Sequence, residues 1–485
     1  MGIGPKGNAI RNDQIGFGTP MRQHGNEYGA IIVGSGLGGL VAGILLLKKN
    51  YEVLLLKEKK YHPSFEKEGY RFIPFSSFSE RHLNINFLKK ISQLLNFPLK
   101  SQDRGKDKAF QVILPSARID FFYHRPFLSM EWEREFPEEA AQIENFFNDM
   151  DHLLQDLKAL RSKEGAELIF PIRAPSMAPK WFSFPTFPKG GLDERLASFS
   201  QEFREFIQLQ LISWGSLWSN QFPLSLAAYL LLNHKANEGT PPIHLEWLRK
   251  TLFEKFFQSG GMMEEVEGVE EVKKEWRKGF FVSLKGREQP VQSKFLILNS
   301  PLQGFSNHLV KKIKKLTVWE EKIKPRYVLL PLFLGVREKV IPVGMKESLV
   351  SMLDLNKPYG DGNILFIALS PKGEETEAPA GRRALTVENL IPIQKWDQIF
   401  LMYHQKEVLN HLNHLFPFLE KNIEFMDWNW GNEQYSSWSY PHIIYEASAD
   451  FQWREGVVPS RIAKNLYFIG KENFPYLGLE GEVLS

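Results

Sequence analysis

The run AIIVGSGLGGLVAGILLL, residues 30–47, holds eighteen residues without a charge. Its length would admit a membrane-spanning helix. Its glycines argue otherwise. Residues 30–33 form a short β-prone run, and Gly34-Ser35-Gly36-Leu37-Gly38-Gly39 reads GxGxxG. Helical periodicity follows in Leu40, Ile44 and Leu47 and closes at Lys48-Lys49-Asn50, with cations where a helix C-terminus favours them. Residues 51–56, YEVLLL, then read as a second strand. Strand, glycine turn, helix and strand make a βαβ unit. In that setting Gly34 makes the tight turn, Gly36 lets a pyrophosphate approach the backbone, and Gly39 lets helix and strand pack closely. A glycine-rich buried hairpin would use the same letters, but the flanking strands and helix are the context a dinucleotide site requires.

Composition narrows the function classes. The chain has 485 residues, 43% of them hydrophobic and 24% charged, enough for two or three ordinary globular domains. A formal charge of +3 on so long a chain gives no case for nucleic acid as a partner. With no cysteine there can be no disulfide, thiolate metal site or redox dithiol, so redox chemistry must come from a bound cofactor. The apolar run begins only at residue 30, too late for a secretory signal, which points to a cytoplasmic protein.

Along the chain, residues 84–97 and 138–162 read as amphipathic helices, and 109–123 as paired strands around Pro115. Residues 192–232 read as mostly helical and 245–259 as a helix ending at Gly260-Gly261. A β-meander follows in EEVEGVEEVKKE, GFFVSLKG and KFLIL, then a second α/β region from 317 to about 430, and a last short strand in NLYFIG at 465–470. Nucleotide-binding segments at both ends and in the middle imply a discontinuous cofactor domain at 29–90, 245–305 and 455–485. A substrate domain, 91–244 and 306–454, is inserted twice, and residues 1–28 are a loose extension.

This arrangement resembles the phytoene desaturase and carotenoid isomerase branch of the flavin amine-oxidase superfamily. The resemblance rests on the GxGxxG unit, FEKEGYRF (65–72), GGMMEEVEGV (260–269), APAGRRALTV (378–387), and NLYFIG followed by LGLEG (477–481). It implies an α/β fold: a Rossmann-like FAD-binding domain with an inserted mixed α+β substrate domain. By the same resemblance Val269 meets the adenine, and Gly470, Lys471, Gly478, Leu479 and Glu480 close the flavin site. Three positions depart from the family pattern. The glutamate that takes the ribose hydroxyls is replaced by Lys57, eighteen residues after Gly39, with Glu58 next to it on the opposite face of the strand. The Gly-Gly loop after that glutamate is missing, and the family's Gly-Asp is Gly470-Lys471. Each lost charged hydrogen-bonding partner weakens a cofactor by roughly 1.5–3 kcal/mol. The chain also stops at Ser485, where the family's closing helix runs on for several turns; a stub of that helix and a truncated sequence both fit.

The resemblance implies FAD-dependent desaturation, saturation or isomerisation of a lipophilic isoprenoid or polyene-like substrate. No acid/base pair stands out as catalytic. The rival is a cofactor-poor relative that binds lipid or a partner. Three further features admit more than one role. His404, His411 and His414 share a helix face but lack carboxylates at matching spacing, so a half-exposed face is expected rather than a metal site. Residues 171–191, with five prolines and Trp181, Phe182, Phe184 and Phe187, suit either a lid over an internal tunnel or peripheral contact with a bilayer. Arg382-Arg383 reads as a solvated strand end.

Overall fold

The computed structural model describes residues 26–59, 64–73, 84–99, 110–163, 191–219, 222–232, 245–299, 323–393, 398–428, 442–447, 461–474 and 477–484. The chain opens with β1 (Glu27–Val33), α1 (Leu37–Leu47) and β2 (Val53–Glu58), then a hairpin of β3 (Phe65–Lys67) and β4 (Tyr70–Phe72). Helix α2 (Ile85–Leu95) precedes the strand pair β5 (Phe110–Ile113) and β6 (Arg118–Phe121). A helical stretch follows: α3 (Arg125–Glu135), α4 (Ala140–Lys163), α5 (Leu192–Leu196), α6 (Gln201–Trp214), a short β7 (Leu217–Trp218) and α7 (Leu224–Leu232). Helix α8 (Leu245–Gln258) leads into β8 (Met262–Val266), β9 (Val269–Glu275), β10 (Gly279–Leu284) and β11 (Val291–Leu298). Next come β12 (Ile323–Arg337), β13 (Ser348–Met352), β14 (Ile364–Leu369), β15 (Arg382–Pro392), α9 (Gln398–Leu415), β16 (Ile423–Asp427) and β17 (His442–Ala447). The chain closes with β18 (Arg461–Ala463), β19 (Leu466–Phe468) and α10 (Gly478–Leu484).

Two large sheets organise these elements, and the fold is α/β with a Rossmann-like first sheet. That sheet runs β18-β19-β11-β1-β2-β8, and the five strands from β19 to β8 are mutually parallel. A parallel sheet is covered on both faces and its strands read as apolar runs. Ala30, Ile31, Ile32 and Val33 are accordingly all buried. Ala30 and Ile32 face α1, α2 and α8, packing with Leu40, Ile44, Ile91, Leu252 and Phe256. Ile31 and Val33, on the opposite face, belong to the larger core that also takes in Val272, Phe280 and Val282 of the antiparallel β9–β10 pair. Each such side chain fully removed from water contributes roughly 1.5–3 kcal/mol. The uncharged run of 30–47 is therefore a strand, a turn and a helix, and among the described residues no helix is long and apolar enough to cross a membrane.

One stretch differs from its sequence reading. EEVEGVEEVKKE is not a single meander strand: it breaks at Gly268, and its first half, β8, joins β2 in parallel as a strand of the main sheet. Only β9, β10 and β11 form an antiparallel meander.

The second sheet runs β6-β5-β13-β14-β15-β12-β17-β7, with β16 alongside β12. One of its faces packs Leu334, Val336, Ile367, Leu385 and Val387 on Val408, Leu412 and Leu415 of α9. The other carries Val350, Phe366, Leu390 and Tyr445 against an aromatic layer that includes Trp132, Phe147, Phe203 and Phe206 from α3, α4 and α6. That layer is continuous with the core under β1 and β2, so one apolar interior joins the two sheets. The hairpin β3–β4 turns through Glu68 and Gly69, both at positive φ as a two-residue loop requires, and packs Tyr70 and Phe72 on Phe333 and Phe425 of the second sheet.

Candidate functional site

All five parallel strands end on one side of the first sheet. From β1 the chain passes through α1 to β2 on one flank, while β11 pairs with β1 on the other flank only after residue 290. The strand order therefore reverses at β1, and in open α/β sheets ligands bind in the crevice beyond such a reversal. Residues 34–39 follow β1, Lys57 and Glu58 end β2, Asn299 follows β11, and Gly470 and Lys471 follow β19. Val269 lies just past the carboxyl end of β8 with its side chain in the apolar core. Gly478, Leu479 and Glu480 open α10, which packs on α1. The fold thus brings the sequence-expected residues to one edge.

The glycine turn is held from below. Gly34 has φ +105°, and a Cβ there would run into the main-chain carbonyl of Asn299. Its amide donates to Leu56 O at 2.9 Å, and the Asn299 amide donates to Val33 O at 2.7 Å. Gly36 caps α1 in an extended conformation and has no side chain to offer the amides of the first turn. Two distant residues supply the acceptors instead. Asn299 Oδ1 accepts from the Gly39 amide at 3.1 Å, while its Nδ2 donates to Ile469 O at 3.1 Å. Glu482 Oε1 accepts from the Gly38 amide at 3.3 Å.

Does this edge fit a dinucleotide? The backbone does: a glycine turn opens a helix whose positive end faces the crevice. The side chains fit less well. Cβ atoms added at Gly36 and Gly39 would meet Asn299 Oδ1 at 2.7 and 2.6 Å, and one at Gly36 would also meet the Glu482 carboxylate. At the end of β2, Lys57 Nζ pairs with Glu265 Oε1 of β8 at 2.7 Å, its register neighbour. Glu58 is buried.

Further carboxylates fix the closing segment. Tyr229 of α7 donates to Glu480 Oε2 at 2.7 Å, and Tyr445 of β17 donates to the buried Glu472. Burial, then the neighbouring Glu472 charge, pushes the Tyr445 phenol well above its usual range, so it stays a donor. None of Asn299, Tyr229, Tyr445, Glu472 or Glu482 stood out in the sequence. Asn299 had one usable signal: a polar residue directly after the apolar strand run KFLIL sits where parallel strands present ligands.

Other candidates lie elsewhere. The histidine face is not half-exposed: His404 and His411 are buried, and only His414 faces solvent. His404 Nε2 bonds Asn389 Oδ1, and His411 bonds Ser351 Oγ and Gly362 O, both at 2.9 Å. Their partners in the second sheet and its loops explain the burial, since buried polar groups are hydrogen-bonded. Among the described residues no group of His, Asp and Glu is arranged to hold a metal. The arginine pair is split as well. Arg382 pairs with Glu424, whereas Arg383 is buried because strand alternation turns it inward. Residues 171–190 of the aromatic loop lie outside the described residues.

The chain is similar in sequence to the prolycopene isomerases. It is 25% identical to the chloroplastic prolycopene isomerase of Arabidopsis thaliana over 395 residues, 76% of this chain and 64% of that one, so it spans less than two thirds of that relative. No family model matches the chain. In fold it superposes on wild-type putrescine oxidase bound to putrescine with a TM-score of 0.60, 14% identity and coverage of 94% of this chain and 96% of the other. It also superposes on a Rab GDI of Plasmodium falciparum with a TM-score of 0.52, 13% identity and coverage of 92% and 93%. The resemblance to the carotenoid isomerase branch therefore holds. The fold is shared by an oxidase and by a protein not named as one, so function has to be argued from the site.

Proposed function

We propose that the protein is an FAD-dependent oxidoreductase of the desaturase, saturase or isomerase type, acting on a lipophilic isoprenoid or polyene-like substrate. The observation that carries this reading is the meeting of the glycine turn with the carboxyl ends of β2, β11 and β19 at the strand-order reversal. The prolycopene isomerase relatives support the substrate class. The discontinuous cofactor domain and twice-inserted substrate domain belong to the same proposal.

The residues would act as follows. The amides of 36–38 would hold the pyrophosphate at the positive end of α1, while Asn299, which takes the Gly39 amide, props the turn from β11. Tyr229 and Tyr445 fix the segment that closes the site, and the aromatic layer around Phe203 and Phe206 keeps water from the apolar interior. The flavin, when bound, supplies the redox chemistry by taking or giving hydride. No side chain is assigned as catalytic.

A second reading, a cofactor-poor binding protein, is favoured by two observations: Glu482 on the Gly38 amide of α1 and the Lys57–Glu265 pair where a ribose acceptor belongs. Anaerobic incubation with a polyene and FAD, once oxidised and once dithionite-reduced, followed by chromatography of the polyene, separates the two. Conversion supports the enzyme. Binding of the polyene by a protein that takes up no FAD and converts none of it favours the binding module.

A further inference from the structure

The glycine turn is served by an anion of the chain's own. Glu482 lies 444 positions from Gly38, yet its carboxylate accepts the Gly38 amide. The carboxylate fills the space in front of Gly36, and the Glu482 main-chain carbonyl covers Gly38 in the same way. At 6% exposed, the residue is inside the protein rather than passing over its surface. Helix α1 has no acidic residue in its first turn and no side chain at its cap. Its positive end is therefore neutralised from the opposite end of the chain.

A pyrophosphate at this turn needs the same amides and the same space. Two anions cannot both occupy the few ångströms in front of Gly36. Resting on the reading that the protein takes FAD, we infer that Glu482 is a built-in competitor for the dinucleotide. Its carboxylate holds the turn together before loading and withdraws when the pyrophosphate arrives, so cofactor affinity is set by that exchange. Two residues earlier, Glu480 is tied to Tyr229, so the start of α10 stays anchored to α7 while the Glu482 side chain rotates away.

Two variants of the full chain test this. Glu482→Ala removes both charge and bulk, and Glu482→Gln keeps the shape without the charge. Each is titrated with FAD by quenching of flavin fluorescence and, separately, melted without FAD. The Ala variant is expected to bind FAD at least about tenfold more tightly than wild type, with Gln between them, since the pyrophosphate no longer has to displace an anion from the helix N-terminus. Without FAD the Ala variant is expected to melt lower, because the Gly38 amide loses its acceptor. Opposite signs identify a competitor; a merely structural residue would weaken both properties when removed. If wild type binds FAD and both variants bind it equally or less tightly, the inference is wrong while the FAD reading stands. If all three fold and none binds FAD, the FAD reading fails and the inference fails with it. Should the Ala variant not fold, the Gln variant decides alone.

Discussion

Replacing Asn299 by alanine is the sharpest probe of how the turn is built. The side chain makes two buried hydrogen bonds, one from the Gly39 amide and one to Ile469 O, each at 3.1 Å. The Gly39 amide belongs to the first turn of α1 and has no partner within the helix. Truncation strands a buried donor and a buried acceptor, each worth roughly 1–3 kcal/mol when left unmet. Allowing for some relaxation, Asn299→Ala is expected to lower stability by about 2–4 kcal/mol. The main-chain bond from Asn299 to Val33 is untouched, so strand register is kept and the loss reports on the side chain alone. Asn299→Asp retains the acceptor for Gly39 and loses the donor for Ile469, and is expected to lie between alanine and wild type. Urea unfolding without FAD gives both numbers. An alanine variant within ~0.5 kcal/mol of wild type would refute the two-bond reasoning, since changes that small are typical of surface sites.

Other expectations follow from particular groups. Burial holds the His411 imidazole down at about 4 against the usual 6.5 of a free imidazole, with the Gly362 carbonyl pulling the other way. The unfolded chain therefore takes up a proton that the native site refuses between those values. The contribution is fully present above pH 6.5 and is lost as pH falls toward 4, about 3 kcal/mol in all. His411→Gln should flatten stability against pH across that window; an unchanged slope assigns the acid sensitivity elsewhere. Lys57→Glu alone would set two carboxylates side by side with Glu265, so it should fail to tighten FAD, whereas Lys57→Glu with Glu265→Lys should bind better than the single change. Tighter binding by the single variant would mean that the ion pair is irrelevant to the site. From its sequence, the 171–191 loop should draw the protein reversibly onto liposomes, lost in Trp181→Ser/Phe182→Ser; no sedimentation in wild type favours a lid.

Much of this edge was legible because its physics is local. A glycine turn, a helix and two flanking strands lie within thirty-two residues of one another, from Glu27 to Glu58, and their periodicities state their form. The strand pair around Pro115 was legible for the same reason. What escaped depends on partners far away in the chain. Nothing near Glu482 says that it meets Gly38, and nothing near Arg383 or His404 says that each is buried. Gly268 shows the limit from the other side: it marks a break, but which strand β8 then joins is decided by β2, some two hundred residues earlier. Tertiary partners convert charged and polar residues from surface to interior, and periodicity is blind to them.

A turn that holds a flavin dinucleotide gives the protein a colour. The most direct measurement is the visible absorption spectrum of the protein after exposure to FAD and removal of unbound flavin, beside that of Gly36→Val. A side chain at Gly36 takes the space the pyrophosphate needs. The expected result is a yellow wild type with flavin retained and a colourless variant; a wild type that retains no flavin, or a variant that retains as much, would contradict the claim.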